Sequence, residues 1–271
     1  MGLISGKERA GAEVVDLSEK NKITAVIVAA GTGKRMNSPV KKQYMEIADH
    51  PVLYYTIKAF EESLTDRIVI VTGSEEIDFV KKEIVEKYGF KKVLCVCEGG
   101  RERFDSVYEG IKKAKRGGAG YVLIHDGVRM LVTSELINRC IENVRACDAC
   151  VAAVPAKDTL KECGTDIGDA QRSEKAGMIV RRTIDRKSIY QIQTPQCFEI
   201  SLIIGAFEKM YGMPGAERDK ITDDSMVVEI YSDHKVTVVE GDYKNIKITT
   251  PEDLELAEFW LKRNREFVAK T

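Results

Sequence analysis

The sequence predicts an α/β fold: a mostly parallel sheet with helices on both faces and a protruding β-arm. Three observations carry that expectation. Apolar, β-branched runs recur along the chain, helical patterns alternate with them, and one long polar stretch interrupts the alternation. Repeated strand, helix, strand order gives right-handed βαβ units and hence a parallel sheet covered on both sides.

The first strand is Ile23–Ala30, "ITAVIVAA", whose continuous apolar character suits a strand buried on both faces. Further strands are expected at Arg67–Thr72, Lys92–Cys97, Tyr121–His125 and Ala149–Pro155. Helices at Pro51–Glu62, Glu75–Tyr88, Phe104–Lys115 and Ser134–Ala146 lie between them. Residues 157–190 are polar, glycine-punctuated and without a long helical period, so they leave the sheet as the arm. Two strands with an exposed edge are marginal alone, and a second subunit is their natural support. A homodimer through the arm is therefore the expected assembly. The sheet resumes near Lys235–Glu240. A helix closes the chain at Pro251–Val268, with proline at its start, acids in its first turn and basic residues in its last. Residues 1–22 stand apart as a peripheral or disordered extension, and 23–271 form one domain with the arm inserted.

A chain of 271 residues fits one large α/β domain or two small ones and buries a sizeable core. Its 42 Lys and Arg balance 43 Asp and Glu, so no global basicity argues for nucleic acid or an anionic membrane as the main partner. No apolar run reaches the roughly 18 residues of a membrane span, and the polar start lacks the apolar core of a secretory signal. The expected location is the cytoplasm. The seven cysteines then read as reduced core residues. Cys147 and Cys150 are formally C-x-x-C, but they fall where a helix runs into a strand and not at the helix N-terminus that would acidify a thiol. Cys95 and Cys97 alternate within a strand, with no histidine near either pair to suggest zinc, and no protein metal site is expected.

The residues after each strand are where chemistry belongs, because ligands of open α/β sheets bind beyond the strands' carboxyl ends. After the first strand, Gly31 and Gly33 let the backbone turn tightly and present N–H groups, and Lys34, Arg35, Lys41 and Lys42 follow. That is the pattern of a phosphate site, although an ordinary turn with solvated lysines reads the same way. The third glycine of a dinucleotide fingerprint and the G-K-[ST] ending of a P-loop are both missing. After the third strand comes "EGGRERFDS", after the fourth "HDGVR", after the fifth "PAKDT", and later "DRKSIYQIQTPQ", "TDDS" and "NIKITTPEDL". Singly, each segment reads as a solvated loop or a cap; Asp223 and Asp224, for example, suit a helix start.

In that order, from about Ile23 to Phe259, these segments resemble the 2-C-methyl-D-erythritol 4-phosphate cytidylyltransferases, CTP-using enzymes of the non-mevalonate isoprenoid pathway. The resemblance implies a Rossmann-like fold, CTP and a polyol phosphate as substrates, and Mg²⁺ bridging the triphosphate. It implies that Arg35 and Lys42 hold the triphosphate and stabilise the transition state, while Arg186 and Lys247 fix the attacking phosphate. Ala29, Ala30, Gly31 and Gly33 would lie along the nucleotide, and Gly100 and Ser106 would recognise cytosine. Asp126, Arg129, Thr159 and Thr194 would line the polyol phosphate and ribose.

Two departures stand out. The usual Pro-Lys-Gln is here Lys41-Lys42-Gln43, an extra cation in place of a rigid turn former, from which a more mobile loop is expected. The usual H-D-A-A-R-P is His125-Asp126-Gly127-Val128-Arg129-Met130, with both charges kept and the proline lost. His125 reads as a structural strand-end residue, since a phosphate nucleophile is already anionic near neutral pH. Three alternatives remain: a cytidylyltransferase for another polyol phosphate, ribitol 5-phosphate above all, a nucleotide-binding regulator without catalysis, and a nicotinamide oxidoreductase. Ala29-Ala30-Gly31 favours methylerythritol phosphate over ribitol phosphate, the four retained cations disfavour the regulator, and the missing glycine disfavours the oxidoreductase.

Overall fold

The structure, a computed structural model, describes residues 22–31, 33, 36, 38–164 and 178–268. The N-terminal 1–21, Arg35 and the arm residues 165–177 lie outside the described residues. In chain order the elements open with β1 (Ile23–Val28), the short β2 (Glu46–Ile47) and β3 (His50–Pro51), α1 (Val52–Glu61) and β4 (Arg67–Thr72). A 3-10 turn at Ser74–Glu76 leads into α2 (Ile77–Phe79), which continues as π-helix over Val80–Glu86. Next come β5 (Val93–Glu98), α3 (Arg103–Arg116), β6 (Tyr121–Asp126), α4 (Ser134–Cys147) and β7 (Ala149–Pro155). The arm contributes β8 (Lys161–Gly164) and β9 (Ile179–Thr183). Then follow β10 (Tyr190–Glu199), α5 (Ile200–Tyr211), α6 (Gly215–Arg218), α7 (Asp224–Tyr231), β11 (Thr237–Glu240) and α8 (Pro251–Val268).

Seven strands form one sheet in the order β11-β7-β10-β6-β1-β4-β5. Its pairings are parallel except those of β10, which runs antiparallel to both β6 and β7. Sequence reading has the sheet resume only near residue 235. It resumes at Tyr190, because the polar "QIQTPQ" is strand and not loop. The paired arm strands β8 and β9 form a separate two-stranded sheet, and all of β9 is exposed.

Strand alternation sorts the core into two layers. Ile23, Ala25 and Ile27 of β1 join Leu53, Ile57 and Phe60 of α1 and Leu136, Ile137 and Ile141 of α4 on one face. Val26 of β1 and Val122 and Ile124 of β6 meet Val107 and Ile111 of α3, Phe207 of α5 and Val227 of α7 on the other. A third cluster seats α8: Met130, where proline was expected, is buried there with Val128, Ile248 and Ala257. Strand β1 sits between β4, reached by the first crossover, and β6, reached after the chain reverses direction across the sheet. That reversal is where an open α/β sheet leaves a crevice.

Candidate active site

A cleft of about 280 Å³ opens at that reversal. Its floor is the exit of β1, Val28 to Gly31, and one wall is the loop from Gly100 into α3. Lys42, Gln43, Asp126, Val128 and Lys247 complete it. Eight of the residues marked in the sequence therefore meet here: Ala29, Ala30, Gly31, Lys42, Gly100, Ser106, Asp126 and Lys247.

The glycines of this wall allow close approach. A Cβ on Gly99 would stand 2.6 Å from Ser106 Oγ and 2.9 Å from the Cβ of Ala30, and one on Gly100 would stand 2.3 Å from the Cβ of Asp105. The loop after β5 can thus lie against the end of β1 only without side chains there. Gly100 N donates to Ser106 Oγ at 3.1 Å, so the Ser106 hydroxyl, in the first turn of α3, holds the loop that precedes the helix. Opposite, the Gln43 amide donates to Ala29 O (2.6 Å) and Gly31 O (3.1 Å), tying the lysine-bearing turn Lys42–Tyr44 to the floor. Lys42 Nζ donates to Ile248 O at 2.9 Å. Gly33 has a left-handed φ of +67°, next to the Lys42 stem.

Asp126, at the end of β6, is the electrostatic centre. Its Oδ1 faces Arg103 Nε at 3.2 Å, and its Oδ2 faces Lys247 Nζ at 2.9 Å and Arg129 Nε at 3.5 Å. Burial alone would raise its pKa, but Arg103, Lys247 and Arg129 outweigh burial and hold the carboxyl below its ordinary range. Arg103 also grips Asp224 with both terminal nitrogens at 2.9 Å. Burial pushes Asp224 up, since its one counter-ion is shared with Asp126. Arg103 is a site residue that sequence reading missed. Its signal was present, an arginine at the first position of the helix opening the glycine loop's wall, but its partners are 23 and 121 residues away.

The QTPQ segment is a hub. Gln193 joins Asp242 and Asn245, and Gln196 Oε1 accepts from the amides of Asp224 and Ser225 at 3.0 and 2.9 Å. Thr194 Oγ1 accepts from Asp126 N (3.2 Å) and lies 2.9 Å from His125 Nδ1. The other ring nitrogen, Nε2, lies 3.3 Å from Arg129 O, a carbonyl that can only accept. These partners assign the ring as the Nε2–H tautomer, with the Thr194 hydroxyl donating to Nδ1. Burial first, with Arg129 and Arg103 against Asp126, pushes the His125 pKa down to about 3. The ring is neutral and both nitrogens are engaged, as a structural histidine requires. Thr194 is 3% exposed, and its hydroxyl serves this chain.

Arg129 is not among the residues lining the cleft; its side chain is largely buried, and its Nη1 donates to Asn245 O at 2.8 Å. Thr159 and Arg186 do not line the cleft. They share an open depression at the arm's base with Thr183 and Asp185, where Arg186 donates to Lys157 O. Lys41, expected as an extra cation in a looser loop, is instead ion-paired with Glu76. All seven cysteines are free thiols. Among the described residues no group of three or more His, Cys, Asp or Glu is placed to hold a metal ion, and no helix is long and apolar enough to cross a membrane.

Comparison with known proteins agrees with this geometry. The family model for IspD, 2-C-methyl-D-erythritol 4-phosphate cytidylyltransferase, matches residues 23–263. The enzyme of that name from Lachnoclostridium phytofermentans is 46% identical over 247 residues, covering 91% of this chain and 99% of the relative. That from Lachnospira eligens is 45% identical over 240 residues, 88% of this chain and 99% of the relative. Among solved structures, the 4-diphosphocytidyl-2C-methyl-D-erythritol synthase of Anaerococcus prevotii is 35% identical. It superposes with a TM-score of 0.75 over 90% of this chain and 97% of its own. With the family model spanning nearly the whole described fold and these relatives matched almost end to end, the chain belongs to the 2-C-methyl-D-erythritol 4-phosphate cytidylyltransferase family.

Proposed function

We propose that the chain transfers the cytidylyl group of CTP to 2-C-methyl-D-erythritol 4-phosphate, releasing pyrophosphate and forming the CDP-methylerythritol intermediate of isoprenoid biosynthesis. The observation that carries this reading is the cleft itself, formed on the exits of β1 and β5 and lined by Lys42 and Lys247. An oxygen of the acceptor phosphate attacks the α-phosphorus of CTP in line. One O–P bond forms as the bond from the α-phosphorus to the bridging oxygen breaks, and pyrophosphate leaves. Negative charge concentrates at one phosphorus, so positioned cations are the catalysts.

Gly100 and Ser106 hold the cytosine in the cleft against Ala29, Ala30 and Gly31, and Lys42, with Arg35, holds the triphosphate. Lys247 and Arg186 hold the acceptor phosphate, with Arg129 and Thr159 beside them. Asp126 orients Lys247 and Arg129 and is itself oriented by Thr194. The residues present fit a Mg²⁺ ion that enters on the nucleotide. Both oxygens of Asp126 face cations, and Glu102, the other carboxylate of the cleft, lies 3.9 Å from Arg101. When bound, the ion neutralises phosphate charge and shapes the triphosphate. Because Thr159 and Arg186 line a different depression, the arm of a second copy would deliver them in a homodimer. The deciding measurement is pyrophosphate release from CTP and Mg²⁺ with methylerythritol phosphate, ribitol 5-phosphate or no acceptor. Release with the first alone is expected, and comparable turnover with ribitol phosphate would overturn the substrate assignment.

A further inference from the structure

Lys41 and Lys42 are adjacent but serve different neighbours. Lys42 lines the cleft. Lys41 is paired with Glu76, in the 3-10 turn just beyond β4. The second oxygen of that carboxylate, Oε2, accepts from Thr72 Oγ1 at 3.0 Å and from Gly73 N at 3.1 Å. Tyr44 OH, 2.6 Å from Thr72 Oγ1 and 3.3 Å from Glu76 Oε2, has one hydrogen to share between them, and its ring sits edge-on to Phe79 at 5.1 Å. One carboxylate therefore joins the end of β4 to both flanks of the turn whose middle residues are Lys42 and Gln43. The fit is close, since a Cβ on Gly73 would stand 2.9 Å from Glu76 Oε2 and 3.7 Å from Lys41 Nζ. Burial disfavours the charge on Glu76, but its bonds to Lys41, Thr72 and Gly73 outweigh burial and hold its pKa below the ordinary value.

A single 3-10 turn does not hold its own geometry. The segment that enters it, Ser38 to Val40, adds little support: Val40 is 48% exposed. Gln43 ties the middle of the turn to the cleft floor, and Glu76 is the group that reaches its two ends, Lys41 directly and Tyr44 together with Thr72. We propose that Glu76 is a positioning residue for the nucleotide site: through Lys41 on one side and Tyr44 on the other it sets the turn that presents Lys42 and Gln43 to the cleft. Glu76 is not among the residues lining that cleft, so it acts through its partners. The inference rests on the proposed reading of Lys42 as a cation for the triphosphate.

Lys41 has φ −66° and ψ 138°, and proline imposes the same φ. This supplies a test that a merely structural role would not pass. Glu76→Gln and Lys41→Met each remove the ion pair at nearly constant size. Each should lower kcat/KM for CTP about tenfold through misplacement of Lys42, while the KM for the acceptor phosphate changes less than about twofold. Lys41→Arg should recover activity to within about threefold of the wild type, because it restores the pair. In a Lys41→Pro background the ring fixes the entry to the turn, and Glu76→Gln should then cost less than about twofold. Lys42→Ala, measured alongside, separates the two readings. If it loses activity while Glu76→Gln and Lys41→Met keep theirs, the positioning role is wrong and the nucleotide assignment stands. If Lys42→Ala is fully active, the nucleotide assignment fails and the positioning role with it. Equal losses toward both substrates in Glu76→Gln, or an undiminished loss in the Lys41→Pro background, would also overturn the proposal.

Discussion

His125 is a histidine whose two nitrogens are both engaged, one by Thr194 and one by the Arg129 carbonyl, and this has a measurable consequence. Its folded pKa of about 3 lies below the ordinary value of 6.5. Between those values the unfolded chain binds a proton at this ring that the folded chain refuses, so stability falls as pH drops through that window. Asp126, held below the carboxylate range, adds its own loss only as pH falls through about 4. Between pH 6.5 and 4.5, where His125 acts without Asp126, the expected loss is about 2 kcal/mol. Urea unfolding of wild type and His125→Gln at the two pH values should show it, and equal slopes would remove His125 as the source. Lys42→Ala concerns rate and not folding. It should reduce kcat on the order of a hundredfold, by analogy with removing one oxyanion donor, with an unchanged circular dichroism spectrum. An unchanged kcat would mean that another cation fills the role. At this scale the sequence was legible in placing Lys42, Lys247 and Asp126 together in one cleft, the roles given to them there being those that the resemblance implies. It was not legible for Arg103 or Glu76, because each acquires its role from partners brought close only by folding.

At the scale of elements, apolar periodicity found β1, β4, β5, β6 and β7 and helices α1, α3 and α4 within a residue or two, because each buries a face against the sheet. It missed β10, and the reason is physical. Gln193, Thr194 and Gln196 are buried, yet polar, because their side chains bond α7, the segment 242–245 and the last residues of β6. A strand that buries hydrogen-bonding groups instead of apolar ones looks like a loop in sequence. The helix expected over Glu75–Tyr88 likewise proved to be a 3-10 turn, a short α segment and a π-helix, distinctions too fine for residue spacing to carry. If β10 is a hub, removing one bonding group should cost more than a surface change would. Gln196→Ala leaves the buried amides of Asp224 and Ser225 without their acceptor and removes one of the donors to Asp223, which keeps those from Ser225 Oγ and Met226 N. The expected destabilisation is about 1–3 kcal/mol by urea unfolding, and a loss below about 0.5 kcal/mol would show that water replaces the side chain.

The whole molecule leaves one problem unsolved within a single chain. Among the described residues the arm strands pair only with each other, Ile179 and Val180 are exposed, and two isolated strands are marginal in water. Arg186 and Thr159 sit at the base of that arm, away from the cleft that holds Lys42 and Lys247. Both facts have one resolution if two copies exchange arms about a two-fold axis, covering the strands and carrying each Arg186 to the other copy's acceptor phosphate. Light scattering at micromolar concentration should then give twice the chain mass, and a monomer mass would count against the exchange. Subunit mixing tests the delivery itself. Lys42→Ala disables the site of its own chain, whereas Arg186→Ala would disable the site of the other chain. In a mixed dimer both lesions then fall on one site and the second site is intact. With random re-pairing of equal amounts, half the dimers are mixed, and activity should rise to about a quarter of wild type from two nearly inactive parents. If Arg186 served its own chain, each site of a mixed dimer would carry one lesion, and mixing would restore nothing.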